Sequence, residues 1–364
     1  MKNTFGNHVA VTLFGESHGK AIGAVIDGLA PGIPVEEEFL RFQLGLRRPT
    51  GEISTARSEP DRFVIESGVL EGKTTGTPIC ILIENENAES KDYSAMAGKA
   101  RPGHADYTAY AKYHGFEDAR GGGHFSGRIT AALVAAGAIA IAALKEKGVL
   151  IGTHIKKIAE VEDRAFGELP ADLALLARKP FAVLDARASM QMISAITAAK
   201  KQGDSVGGVL ETAVTGLPAG VGEPWFDTVE GMLAHALFSV PAVKGVEFGD
   251  GFALAGMKGS EANDPFRMAG ERVITVSNHN GGINGGITNG MPLLFRCAVK
   301  PTPTIFQPQQ TVDYRKGENI EWQAAGRHDP CIVHRARVVI DSVTALVLCD
   351  LLAGRFGTDW LANL

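Results

Sequence analysis

Apolar and polar positions along the chain fall into three patterns: short alternating runs, amphipathic stretches of helical period, and one run apolar on every side. The alternating runs predict strands over His8–Phe14 and Ile22–Ile26, joined by the polar turn Gly15-Glu16-Ser17-His18-Gly19. Further strands are expected at Phe63–Glu66, Ile79–Ile83 and Val209–Val214, with shorter ones near Phe252–Ala255, Arg272–Val276 and Leu293–Val299. An acidic-first amphipathic helix starts at Val35 and ends at Arg47-Arg48-Pro49. Ala188–Lys201 predicts a helix stopped by Gly203, Phe226–Phe238 another, and His334–Leu352 a long last one stopped by Gly354. Ile129–Leu144 has almost no polar face before Lys145, so its helix must be covered on all sides and belongs in the middle of the protein.

The chain also repeats itself. Gly15-Glu-Ser-His-Gly19 aligns with Gly203-Asp-Ser-Val-Gly207, and the register holds through Gly28/Gly216 and Gly32/Gly220. Gly68, Gly72, Thr74, Gly76 and Pro78 match Gly282, Gly286, Thr288, Gly290 and Pro292. In each half a polar Arg/His loop then precedes a long apolar helix. The pattern predicts an α+β fold with two pseudo-symmetric halves, approximately residues 1–148 and 203–354, within a single domain spanning 1–364. The two helices would form a central layer between antiparallel sheets, a β-α-β sandwich. Val206 stands where the first half has His18. The turn therefore tolerates an apolar residue, which marks His18 as a group kept for chemistry.

The 364 residues are 45% hydrophobic and 21% charged, ordinary globular composition with ample material for a core. A net charge of −5 gives no bulk attraction to nucleic acid or a membrane surface. Ile129–Leu144 reads as too short and too interrupted, by Thr130 and Gly137, to span a bilayer. Cys80, Cys297, Cys331 and Cys349 show no CxxC spacing and sit mostly in apolar runs, as reduced core thiols of a cytoplasmic protein do. The Met1 segment has no apolar signal region.

Candidate chemistry concentrates between Arg101 and Arg128, in Arg101-Pro-Gly-His104-Ala-Asp106 and Arg120-Gly-Gly-Gly-His124-Phe125-Ser126-Gly-Arg128. Glycines let backbone N–H groups approach a ligand, and the helix that follows points its positive end the same way, so an anionic ligand is expected; a polar turn before a buried helix would look similar. His18, His104, His124, His328 and Asp329 are acid–base candidates. Arg47, Arg48, Arg57, Arg101, Arg128, Arg327 and Lys300 could bind phosphate or carboxylate. The Gly-rich loop Asn278–Gly290 and the segment Lys300-Pro301-Thr302-Pro303-Thr304 suit a phosphate or the polar edge of a planar cofactor. No GxGxxG follows the first strand, no GxxxxGK[ST] is present, and His/Cys spacing suggests no metal.

Taken together, Gly15–Gly19, Asp27-Gly28, Pro31-Gly32, Asp92-Tyr-Ser94, Arg101–Tyr107, Arg120–Gly123, Gly245–Gly249, Gly285–Ile287, Lys300–Thr302 and Gly326–Cys331 closely resemble chorismate synthase, in order and nearly end to end. The resemblance implies loss of phosphate from 5-enolpyruvylshikimate 3-phosphate to give chorismate. It also implies dependence on reduced FMN (FMNH2), a β-α-β sandwich and a homotetramer. NADPH would enter only as an indirect source of electrons, through an external flavin reductase. By the same resemblance His18 protonates the departing phosphate, His104 sits by the flavin N1/C2 edge, and Asp329 reaches N5. Arg47, Arg48, Arg101, Arg128 and Arg327 would hold the substrate anions. His124, Phe125, Ser126, Pro241, Ala242, Gly285, Lys300, Pro301, Thr302, Pro303, Thr304 and Arg327 would contact flavin.

The chain departs from the family pattern at His124-Phe125, at Pro241 where Asn is usual, and in Thr50–Ser54, which lacks a usual Arg. Two other functions remain in view. A flavin- or phosphometabolite-binding protein without turnover would lose the acid–base groups, yet His18, His104 and Asp329 are present. A plain phosphatase would need a metal or a paired nucleophile, and neither is visible.

Overall fold

The computed structural model describes residues 2–55, 60–86, 98–324 and 328–362. Arg57, Asp92–Ser94, Gly326 and Arg327 lie outside them. Two five-stranded sheets enclose a helical layer. In the first, β1 (Thr4–Phe5), β2 (Ala10–Gly15), β3 (Ala21–Asp27), β4 (Phe63–Ser67) and β5 (Ile79–Glu84) lie in the order β1-β2-β3-β5-β4. In the second, β6 (Leu150–Ile158), β7 (Val161–Glu162), β8 (Gly208–Thr215), β9 (Val243–Phe248) and β10 (Leu293–Val299) lie in the order β9-β10-β8-β6-β7. All neighbours in both sheets pair antiparallel.

The helices are α1 (Glu37–Arg47), α2 (Asp106–Tyr113), α3 (Thr130–Glu146), α4 (Leu169–Leu176), α5 (Ala186–Lys201), α6 (Val229–Ser239) and α7 (Val333–Phe356). The mid-layer is α3 against α7. Ala131–Ala140 of α3 and Val338–Asp350 of α7 are buried throughout. At their crossing a Cβ on Gly137 would fall 2.2 Å from Ser342 Cβ, so glycine permits the close approach. Counted from Gly127 to Glu146, the α3 stretch is long and apolar enough to cross a membrane, which corrects the expectation that it is too short; 78% of it is buried inside the protein.

The internal repeat is reproduced bond for bond. Thr74 Oγ1 donates to Ala30 O (2.6 Å) and accepts from Ile33 N (2.9 Å). Thr288 Oγ1 donates to Pro218 O (2.7 Å) and accepts from Val221 N (3.0 Å). Gly32 N and Gly220 N donate to the carbonyls of the same threonines, both at 2.8 Å. The order strand, strand, helix, strand, strand, helix appears first as β2-β3-α1-β4-β5-α3 and then as β6-β8-α6-β9-β10-α7. The second copy thus starts at β6, upstream of residue 203; β6 was missed because its central residues Gly152-Thr-His154 break the apolar alternation. They are buried all the same, Thr153 by a bond to Asp341 (2.6 Å) and His154 between Asp163 and Glu211 (2.8 and 2.9 Å).

Two other expectations change. Phe252–Ala255 is a 3-10 turn within Gly251–Gly256, because Glu247 Oε2 accepts from Phe252 N (3.1 Å) and Gly251 turns the chain at φ 53°. Gly354 does not stop the last helix, which runs on to Phe356 and ends at Gly357, φ 86°. Gly354 instead makes room for the His8 ring, 3.0 Å from where its Cβ would be.

Candidate active site

The β2–β3 turn, the Arg101–Arg128 segment, the end of α1 and the start of α7 meet around one cavity of about 1220 Å³. Its lining combines charged side chains, His18, Arg47, Arg48, Arg101, Arg128, Asp329 and Arg335, with apolar ones, among them Phe5, Leu13, Leu133, Phe238, Val343 and Leu346.

The triple glycine shapes the lining around His18. Gly121, Gly122 and Gly123 take φ of 59°, 86° and 53°, which only glycine adopts without strain. A Cβ on Gly121 would lie 2.1 Å from His18 Cε1, so any side chain there would occupy the place of the imidazole. The loop is tied to the first turn by Ser17 N to Gly123 O (3.1 Å) and by His124 Nδ1 donating to Gly15 O (2.7 Å). Ser17 Oγ lies 3.1 Å from His18 Nδ1, which fixes one edge of the ring, and His18 is buried.

The arginines come already paired. Arg47 Nη2 lies 2.9 Å from Asp61 Oδ2, Arg128 Nη1 pairs with Asp61 Oδ1, and Arg48 Nε stands 3.9 Å from Asp61 Oδ2. Burial alone would push the Asp61 carboxyl up; Arg47 and Arg128 outweigh it and hold it below the usual carboxylate range. Arg128 is held further by Nε to Asn85 Oδ1 (3.0 Å) and Nη2 to Glu84 O (3.2 Å). Arg101 grips Asp106 with Nε and Nη2 (2.8 and 2.7 Å). Asn85 also donates from Nδ2 to Glu16 O (2.9 Å) and Gly19 O (3.0 Å), the two ends of the His18 turn. One amide thus sets the distance between His18 and the arginine cluster.

Asp329 enters from the start of α7. Its Oδ1 accepts from Thr55 N (2.8 Å) and its Oδ2 pairs with Arg335 Nη1, while Arg335 Nε donates to Arg47 O (2.8 Å). Ser54 Oγ and His334 Nε2, 2.8 Å apart, add a further tie between the loop after α1 and the start of α7.

His104 Nε2 lies 2.5 Å from Thr304 Oγ1, and Lys300 Nζ donates to Gly103 O (2.7 Å), joining the two loops. Although His104 as a residue is exposed, its ring is desolvated against Thr304, and that, then Arg101, pushes it down to about 4. Thr302 Oγ1 is buried with no partner among the described residues and lines the cavity. Of the other residues expected at a flavin, His124, Phe125, Ser126, Pro241, Ala242, Pro303 and Thr304 line the cavity. Gly285, in the Ile283–Thr288 hairpin, and Pro301 do not.

Asp61, Asn85 and Arg335 were missed from sequence. Asp61 follows a proline in a polar loop, and Asn85 ends a strand beside Glu86; both read as surface. Arg335 sits in the first turn of a helix, where the dipole disfavours a cation, and that misplacement was its signal.

The family model described as chorismate synthase matches residues 9–353. A chorismate synthase of Pyrococcus abyssi is 47% identical over 345 residues, covering 95% of this chain and 96% of the relative. One of Aeropyrum pernix is 44% identical, covering 100% and 96%. A solved structure titled "Crystal Structure of Chorismate Synthase" superposes with a TM-score of 0.75 at 28% identity, covering 97% of this chain and 93% of that one. The chain belongs to the chorismate synthase family, carbon–oxygen lyases that act on phosphates.

Proposed function

We propose that the chain eliminates phosphate from 5-enolpyruvylshikimate 3-phosphate to give chorismate, with reduced FMN bound beside the substrate. The observation that carries this reading is the cavity of about 1220 Å³ lined by both an arginine cluster and apolar side chains. It exceeds the roughly 300–1,000 Å³ of a site for one small molecule. Its apolar side chains suit a flat ring system and its arginines a phosphorylated, carboxylated substrate. The lining draws on residues from His18 to Asp329, hence on both halves of the repeat, which supports reading 1–364 as one catalytic domain.

The residues present fit the cofactor. The unpartnered Thr302 hydroxyl, the Lys300 ammonium and the His104–Thr304 pair offer donors at one edge of the cavity. Arg327 and Gly285 join this set on the strength of the resemblance. Bound in reduced form, FMN supplies transient electron density, so the elimination is redox-neutral overall. His18 gives its proton to the departing phosphate, with Ser17 Oγ fixing the ring at Nδ1. The arginines stabilise negative charge on the leaving group. Asp329, already oriented by Thr55 N and Arg335, receives the proton leaving C6. The chain acts in the cytoplasm as a homotetramer, supplied with reduced flavin by an external reductase that draws on NADPH. Exposed Phe226 and Phe252 support subunit contacts. An anaerobic assay of phosphate release tests the reading: release with substrate and reduced FMN is expected, and none without flavin. Release by the apo-protein would overturn it.

A further inference from the structure

Asp61 has no role in the reaction as described, yet it is built into the centre of the arginine cluster that lines the cavity. Its side chain is fully buried and touches two guanidiniums, with a third 3.9 Å away. Its backbone stands at φ 49°, a left-handed conformation a non-glycine residue holds only when its surroundings fix it. The preceding carbonyl, Pro60 O, accepts from Arg48 Nη2, so the same short turn holds all three arginines. Arg47 Nε and Arg48 Nε are buried with no hydrogen-bond partner among the described residues. Both arginines also line the cavity, so the cluster keeps hydrogen-bonding capacity for a second anion beyond Asp61.

We propose that Asp61 is an internal counter-ion of the substrate-anion site, a positioning residue that keeps Arg47 and Arg128 in place while the site is empty and lowers its grip on free phosphate. The proposal rests on the reading that the substrate carries a phosphate. Three arginines with no counter-ion would repel one another in a buried space. They would also hold released phosphate too tightly for turnover, because two unit charges about 4 Å apart interact strongly wherever water is excluded. One fixed carboxylate answers both problems.

The test is melting of the purified chain in inorganic phosphate against chloride at matched ionic strength, comparing wild type with Asp61→Asn and Asp61→Glu. Asp61→Asn keeps the shape and loses the charge. It should melt below wild type in chloride, and phosphate should raise its Tm by more, corresponding to at least roughly tenfold tighter phosphate binding. Asp61→Glu should behave as wild type in its phosphate response. Equal phosphate shifts in wild type and Asp61→Asn would overturn the proposal. If Asp61→Asn is insoluble in both buffers, Arg47→Gln/Asp61→Asn decides: recovery of a folded protein supports the counter-ion role, and continued insolubility assigns Asp61 to packing. The probe is phosphate and the readout is melting, so failure of the proposed reaction would leave this result standing, and the converse holds.

Discussion

Asn85 gives the account its sharpest structural test. Asn85→Ala removes three hydrogen bonds at once: two that hold the ends of the His18 turn (2.9 and 3.0 Å) and one that holds Arg128 Nε (3.0 Å). The two neutral bonds are worth about 1 kcal/mol each and the charge-assisted one about 1.5–3 kcal/mol, less what water recovers in the space left by the side chain. A loss of roughly 2–4 kcal/mol follows. For 364 residues that lowers Tm by only about 3–5 °C, given roughly 2.1 cal/mol/K of unfolding entropy per residue. Activity should suffer far more. Once the turn is released, a displacement of His18 by about 1 Å costs on the order of 10²-fold in rate. The assay is steady-state chorismate formation beside a thermal melt, with Asn85→Asp as control, since Asp keeps the Arg128 bond and loses both turn bonds. Both variants should lose kcat, and only Asn85→Ala should loosen Arg128. Full kcat in Asn85→Ala with the expected fall in Tm would refute the claim that Asn85 sets the position of His18.

His18→Ala should fold and bind FMN but lose kcat by about 10²–10⁴-fold, the scale of a general acid, and an unfolded variant would point to packing instead. Asp329→Ala should keep flavin affinity while slowing the chemical step in single-turnover experiments; wild-type kinetics would remove Asp329 from the site. His104, at about 4 in the empty site, is neutral at pH 7, and an anionic ligand beside it should raise its pKa. Titration calorimetry of reduced FMN in buffers of different ionisation heat should therefore show proton uptake that grows as pH falls from 7 to 6 and vanishes in His104→Asn. The empty protein should, in addition, lose stability as pH falls from about 6.5 to about 4, because the unfolded imidazole binds a proton there and the folded one does not.

The fold was largely legible because its elements follow simple periodicities. Ile129–Leu144 had to be a helix covered on all sides, and Leu293–Val299, an apolar run broken only by Arg296, has the same ends as the observed strand. The repeated glycines foretold the paired Thr74 and Thr288 turns, since both turns need positive φ at the same places. What failed was whatever depends on a distant partner. The strand from Leu150 carries polar side chains that are buried only because Asp341, Asp163 and Glu211 meet them. The candidate site divides the same way. His18, Arg101 and the triple glycine announce themselves through residue type and spacing. Asp61 and Asn85 are ordinary polar residues until the fold brings Arg47, Arg128 and the His18 turn to them. Arg128, expected to hold a substrate anion, is itself fastened at Nε, Nη1 and Nη2 by the chain, which its sequence position did not reveal.

The central claim is a phosphate elimination that needs reduced flavin and consumes no electrons. The direct measurement counts chorismate formed per electron supplied. Enzyme and catalytic FMN are reduced once under anaerobic conditions, the reductant is exhausted, and substrate is added in large excess. The account predicts many product molecules per flavin with no further reductant, and none with oxidised FMN. One product for every two electrons, or full activity without flavin, would contradict it.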